Sequence, residues 1–247
     1  MNVVVGSSRA FNLKPLLPAG TKVQAFPSAK LKALTTTALS ITPPSYSLNS
    51  RAHVYFICGI PDISELVQSP KLSKPYYAYA EAIYIETPEL TIERYKKDLI
   101  ESQKTILKHG ALPIFATIPS YNIETYNNYL LTKKRKTKIL YHQDHYSEMQ
   151  ENLELVIITI NKFITELNKK VGASTPFLHD TIRENRGTRG SRYSVYNWSR
   201  LFDGLHAGPK LTIKWAKVIS KCIDCNQKNE EEEVGSPKRS WKKHRFA

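Results

Sequence analysis

Met1-Asn-Val-Val-Val-Gly-Ser-Ser-Arg9 is the stretch on which the fold turns. Val3, Val4 and Val5 make a short apolar run that reads as a first strand, and it stops abruptly at Gly6-Ser7-Ser8-Arg9. The same pattern recurs downstream. A second strand is predicted over 21–26, a third over 53–58 ending at Gly59 and Pro61, and a fourth over 112–118 ending at Pro119. Amphipathic segments alternate with these strands. A helical piece closes over 13–18, and a helix over 29–39 is broken by Pro43-Pro44. Another over 91–109 carries Leu99, Gln103, Ile106 and Leu107 at helical spacing, with Gly110 as its stop. A long helix over 146–171 turns Leu153, Val156, Ile157, Ile160, Phe163, Ile164 and Leu167 to one broad face before Gly172. The last helix is expected over 211–219. Residues 67–90, with Pro70, Pro75 and Pro88, read as an irregular insertion or an extra strand.

Short apolar strands alternating with amphipathic helices define an α/β fold, a mostly parallel sheet covered on both faces. One domain over 1–225 and a polar tail over 226–247, expected to be disordered, account for the chain most simply. Ligand sites in such sheets gather at the C-terminal ends of the strands. Gly6-Ser7-Ser8, Gly59-Ile60-Pro61-Asp62 and Ile118-Pro119-Ser120 all fall there.

Composition narrows the function classes. The chain has 247 residues, 41% of them hydrophobic, with 14 Tyr, 8 Phe and 3 Trp, which argues against disorder of the whole. The longest apolar runs are too short to span a membrane, and the N-terminus lacks the basic flank and cleavage pattern of a signal peptide. Three Cys are too few for a disulfide scaffold, so a cytoplasmic or nuclear location is expected. Cys222 and Cys225 form a single Cys-x-x-Cys with no second pair, and no metal or cofactor is expected.

The net charge is +14, and the tail does not explain it. From Glu230 onward four Glu nearly balance five basic residues. Two internal clusters stand out. Lys133, Lys134, Arg135, Lys136 and Lys138 form one; Arg183, Arg186, Arg189, Arg192 and Arg200 form the other, with Gly187 and Gly190 favouring a flexible or tightly turned loop. Either they are a solvated surface, or they are an electrostatic footprint for nucleic acid. Lys133–Lys136 also reads as a nuclear-import patch.

Two motifs carry chemistry. Ser8 in its glycine-led turn suits a nucleophile whose oxygen is lifted above the sheet edge, and equally a helix N-cap. Asp203-Gly-Leu-His206 suits a general base oriented by a carboxylate, and His206 can equally be structural.

In this order the motifs resemble those of the SGNH (GDSL-type) hydrolases over residues 2–221. The resemblance implies a three-layer α/β/α, flavodoxin-like fold and an ester or related acyl substrate. Ser8 falls on the family's nucleophile, with its backbone N–H in the oxyanion hole, and Asp203 and His206 fall on the triad partners. The departures are specific. Ser7 stands where the family has Asp. Ser28, in Phe26-Pro-Ser-Ala, takes the place of an oxyanion-hole Gly. Pro61 stands in the Gly-x-Asn-Asp block where an Asn side chain would donate. A missing oxyanion donor costs roughly 3–4 kcal/mol of transition-state stabilisation, so a weakened oxyanion hole is expected. Arg9, Asp62 and Arg200 are the candidate substrate contacts. The alternative implied by the resemblance is a catalytically impaired domain that binds nucleic acid through its basic face. Residues 196–206 also look similar to SGNH-like domains carried by mobile elements and viruses.

Overall fold

Val3, Val4 and Val5 are fully buried in β1 (Asn2–Gly6), as a strand covered on both faces must be. The computed structural model describes residues 1–44, 51–68, 78–81, 87–133, 143–187, 191 and 193–235. From β1 the chain passes through a 3₁₀ helix (Ser8–Leu16) to β2 (Lys22–Ala25), α1 (Leu31–Ile41) and β3 (His53–Ile57). The single turn α2 (Ile60–Ile63) leads to β4 (Glu65–Gln68) and β5 (Ala78–Glu81), an antiparallel pair that overlaps the segment 67–90 expected to be an irregular insertion or an extra strand. Next come α3 (Pro88–Lys108), β6 (Leu112–Phe115), α4 (Ile123–Lys133) and α5 (Gln143–Lys170). The chain ends in β7 (Arg183–Arg186), β8 (Tyr193–Tyr196) and α6 (Pro209–Gly235).

β1, β2, β3 and β6 form one parallel sheet in the order β2-β1-β3-β6. This is a doubly wound arrangement, and its crevice opens where strand order reverses about β1. α1, α3 and α5 pack in series as one helical layer; the 3₁₀ helix packs on α6. The α/β/α reading of the sequence is therefore the observed fold. Gly6 fixes how tightly the upper end closes. A Cβ there would lie 2.6 Å from the Ala10 Cβ and 2.9 Å from the Ile57 carbonyl oxygen, so only glycine lets the 3₁₀ helix fold straight back over the sheet.

The outer edge of β6 is closed by side chains. Asn168 of α5 accepts from the Phe115 N–H at 3.0 Å and donates to the Phe115 carbonyl at 2.8 Å. Two helical turns earlier, Asn161 does the same for Ile118, at 2.6 and 3.0 Å. The amides thus mimic a neighbouring strand and satisfy groups that would otherwise be buried without partners.

Two expectations need correction. Arg183–Arg186 and Tyr193–Tyr196 pair as an antiparallel hairpin, two strands absent from the sequence reading. And α6 does not stop at Ile219: it runs through the expected boundary at 226 to Gly235. Its buried stripe continues from Trp215 and Ile219 through Cys222 and Ile223 to Asn226, which is 2% exposed. Asn226 donates to the Tyr55 hydroxyl at 3.2 Å and accepts from the Ser174 N–H at 2.7 Å. A polar residue on the stripe ends the apolar pattern while the helix goes on. Among the described residues, no helix is long and apolar enough to cross a membrane.

Replacing Asn168 by Leu keeps the volume but orphans the Phe115 N–H and carbonyl. A loss of about 2–5 kcal/mol of unfolding free energy is expected in urea titration, and a loss under about 1 kcal/mol would show that the edge needs no amide.

Candidate active site

The upper ends of β1 and β3 and the loop before α6 converge on a cleft of about 490 Å³. Ser8 is the first residue of the 3₁₀ helix, and Ser7 occupies the N-cap position, so Ser8 is not the cap. Its hydroxyl lies 3.0 Å from His206 Nε2. His206 Nδ1 lies 2.7 Å from Asp203 Oδ2. With a carboxylate that can only accept, the hydrogen-bond network assigns the proton to Nδ1 and leaves Nε2 to accept from Ser8.

Asp203 is 5% exposed, and its second oxygen accepts the N–H groups of Leu205 at 2.9 Å and His206 at 2.7 Å. Burial pushes its pKa up, but the bond from the His206 ring and those two N–H groups outweigh it, and the carboxyl sits below its ordinary range. The loop bearing this pair is closed on itself. Leu201 bridges Ala207, and the Phe202 N–H donates to the His206 carbonyl at 2.7 Å. Gly204, at φ +88°, accepts from Asn122 at 2.9 Å, and a Cβ there would press within 2.6 Å of the Tyr126 nitrogen. Glycine thus lets the loop lie directly on the start of α4.

The turn 26–29 brings Pro27 and Ser28 into the lining of the same cleft. It is tied to the first strand by the Phe26 N–H donating to the Gly6 carbonyl at 2.9 Å. Ser28 holds φ +54°, the left-handed conformation at which glycine is at home. A non-glycine residue kept there is a strain of the kind found at functional sites. Pro61 lines the cleft at the end of β3 and offers neither amide nor N–H.

Asp62, expected as a substrate contact, has a different task. Both its oxygens accept the Leu31 N–H, at 3.0 and 3.2 Å, capping the first turn of α1 directly behind the Ser28 turn. Arg200 does not reach the cleft either. Its Nη1 donates to the carbonyls of Thr181 at 2.6 Å and Arg183 at 2.9 Å, and Nη2 lies 3.8 Å from Glu184. A guanidinium close to two carbonyls and a carboxylate is a fastening of the loop to β7. Arg9 does line the cleft, at its buried base.

Arg183 and Arg186 both lie on β7. Arg186 forms an ion pair with Glu184 at 2.6 Å, and Arg183 lies over the Tyr196 ring at 5.2 Å. Lys134, Arg135, Lys136, Lys138, Arg189, Arg192 and the side chain of Lys133 lie outside the described residues. Sequence reasoning missed Tyr121, Tyr126, Leu205 and Lys30, which line the cleft. Tyr126 meets the His206 ring edge-on at 6.4 Å. Tyr121 directly follows the strand end Ile118-Pro119-Ser120, and Leu205 lies between Asp203 and His206; for Lys30 and Tyr126 there was no local signal.

Solved structures share this architecture. A GDSL-like lipase from Bacteroides thetaiotaomicron is similar over 92% of this chain and 87% of its own, with a TM-score of 0.52 and 9% identity. A lipase/acylhydrolase from Enterococcus faecalis is similar over 91% of this chain and 96% of its own, with a TM-score of 0.50 and 12% identity. No family model and no curated protein matches the sequence. At such identities the likeness is one of fold: the chain has the α/β/α architecture of the GDSL/SGNH-type lipases and acylhydrolases.

Burial raises the pKa of Asp62 from 3.8 to about 7, opposed by the Leu31 N–H bond. A carboxyl whose folded pKa is raised binds more protons folded than unfolded, so stability falls as pH rises from about 4 to about 7. Asp62→Asn keeps an acceptor for Leu31 and removes the titration. The pH-dependence of unfolding free energy between pH 5 and 7 is expected to flatten in that variant, and an unchanged slope would assign the titration elsewhere.

Proposed function

We propose that the protein is an SGNH-type serine hydrolase acting on an ester or related acyl substrate. The observation that carries this reading is the unbroken hydrogen-bonded chain from Ser8 to His206 to Asp203 at the rim of a cleft. Each member has the partner its role demands. As the Ser8 oxygen attacks the acyl carbon, its proton passes to Nε2, and the imidazolium formed is held by the ionised Asp203. The tetrahedral intermediate collapses as Nε2 returns the proton to the leaving oxygen, leaving an acyl-Ser8 ester. Water, deprotonated by the same nitrogen, then attacks that ester and releases the acid and free Ser8.

The developing oxyanion is served by the backbone N–H groups of Ser8 and Ser28. The start of a helix supplies N–H groups without intrahelical acceptors, and the left-handed Ser28 turn lines the same cleft. Pro61 removes the third donor of the family pattern. Turnover about 10²–10³ below that of a three-donor site follows.

A second reading is nucleic-acid binding through the β7–β8 hairpin. It is supported by the stacking of Tyr196 on Trp198 at 4.5 Å, by Arg183 over Tyr196, and by the charge of +14. It predicts binding to a single-stranded oligonucleotide that weakens steeply with salt and is lost on Arg183→Ala with Trp198→Ala.

A fluorophosphonate probe decides the first reading. It is expected to label the parent protein and not Ser8→Ala, while Asp203→Asn lowers the labelling rate on the order of 10⁴-fold. Labelling that survives Ser8→Ala, or no labelling of the parent, sinks the hydrolase reading.

A further inference from the structure

The turn that carries Ser28 is held at its two ends and hardly at all between them. At one end the Phe26 N–H donates to the Gly6 carbonyl at 2.9 Å. At the other the Leu31 N–H, the first of α1, meets both carboxylate oxygens of Asp62 at 3.0 and 3.2 Å. Lys30 stands at the N-cap position without capping the helix, so Asp62 supplies from another segment what a local Ser or Asp would give. Within the turn the Ala29 N–H reaches the Phe26 carbonyl only at 3.4 Å. The Ser28 N–H has no acceptor among the described residues.

Ser28 needs this holding. Its φ of +54° is a conformation that glycine adopts freely and that a Cβ penalises. Released at either end, the turn relaxes toward negative φ and swings the Ser28 N–H with it. Asp62 can prevent that because its own backbone is fixed. Its N–H donates to the Gly59 carbonyl at 2.9 Å, and its carbonyl accepts from Arg94 Nη2 at 2.9 Å. Asp62 is 8% exposed and Leu31 is fully buried, so bulk water does not compete for the bond between them. The single turn Ile60–Ile63 therefore serves the cleft twice. Ile60 and Pro61 line it, and Asp62 ties it to the wall that bears Pro27 and Ser28.

We propose that Asp62 is a positioning residue for the oxyanion: through the Leu31 N–H it keeps Ser28 left-handed, and so keeps the Ser28 N–H turned to the tetrahedral intermediate. The proposal rests on the hydrolase reading and gives Asp62 a part in it. Asp62 touches no reacting atom and acts through the backbone between Leu31 and Ser28. With Pro61 unable to donate, the placement of each remaining donor counts for more.

Hydrolysis of 4-nitrophenyl acetate, with rates normalised to the folded fraction, tests the proposal. Asp62→Ala is expected to lower kcat by about 10- to 100-fold, part of the roughly 10²–10³ that follows loss of a whole donor. KM is expected to stay within about threefold, because the oxyanion forms only on the way to the transition state. Asp62→Asn keeps an acceptor for Leu31, and its kcat is expected within about threefold of the parent. The decisive variant adds Ser28→Gly to Asp62→Ala. Glycine holds the left-handed turn unaided and keeps the N–H, so kcat is expected to rise about tenfold over Asp62→Ala alone. A general loss of packing would not be relieved by removing a further side chain. Unchanged kcat in Asp62→Ala, or a loss that Ser28→Gly does not relieve, overturns the proposal and leaves the hydrolase reading standing. Asp62→Glu displaces the carboxylate by one bond and carries the same test, with the same overturning results, should Asp62→Ala not fold. If no turnover depends on Ser8, the hydrolase reading falls, and nuclear magnetic resonance decides whether Asp62 holds the turn. Ser28 and Ala29 amide resonances that move in Asp62→Ala and return in Asp62→Asn support it; resonances that stay in place overturn it.

Discussion

Everything at the functional end of this molecule depends on how closely the 3₁₀ helix Ser8–Leu16 returns over the end of β1. Gly6 sits where any side chain would strike both Ala10 and the backbone of β3. With no Cβ in the way, the chain reverses within two residues, and the Ser8 hydroxyl emerges at the crevice while Arg9 is driven beneath it. One steric allowance therefore places a half-buried hydroxyl and a buried cation side by side. The valines before Gly6 make the allowance rigid, because a strand buried on both faces cannot shift without opening the core.

The second support is the loop 201–207. It is irregular, and its backbone is held by its own turns, by Asp203 and by the Asn122 N–H that donates to the Gly204 carbonyl. That carboxylate accepts two N–H groups of its own loop as well as the imidazole N–H, so the same atom pair shapes the turn and orients the His206 ring. Asp62 does a parallel service on the other wall, where it caps α1 and so backs the turn that holds Ser28. Two buried carboxylates brace the two sides of one cleft. Their environments push them in opposite directions, Asp203 below its ordinary range and Asp62 above it. The difference is the number of donors each one meets.

Much of the fold was legible because periodicity is a local property. The apolar runs before Gly6 and Gly59, and the helical spacing of Leu99 with Ile106 and of Leu153 with Ile160, report burial directly. The misreadings have physical causes. Asn226 interrupts an apolar stripe without ending the helix, since its amide is satisfied by Tyr55 and Ser174, both distant in sequence. The strands β7 and β8 left no mark in the pattern because short hairpin strands facing solvent carry no apolar alternation. Asn161 and Asn168 gave no sign that they would finish the edge of a sheet.

Sequence alone determined the strand-and-helix order, the reversal at Gly6, the Pro61 departure, and the candidacy of Ser8, Asp203 and His206. These follow from spacing along the chain and from the chemistry of single residues. Tertiary structure decided which charged groups face the cleft. Asp62 and Arg200 were drawn away to satisfy backbone groups, whereas Arg9, the third candidate contact, lines the cleft and is buried. Whether a polar side chain is free to act depends on which donors and acceptors surround it, and those neighbours come from other segments, 17 residues away for Arg200 and Arg183 and 110 for Arg9 and Pro119.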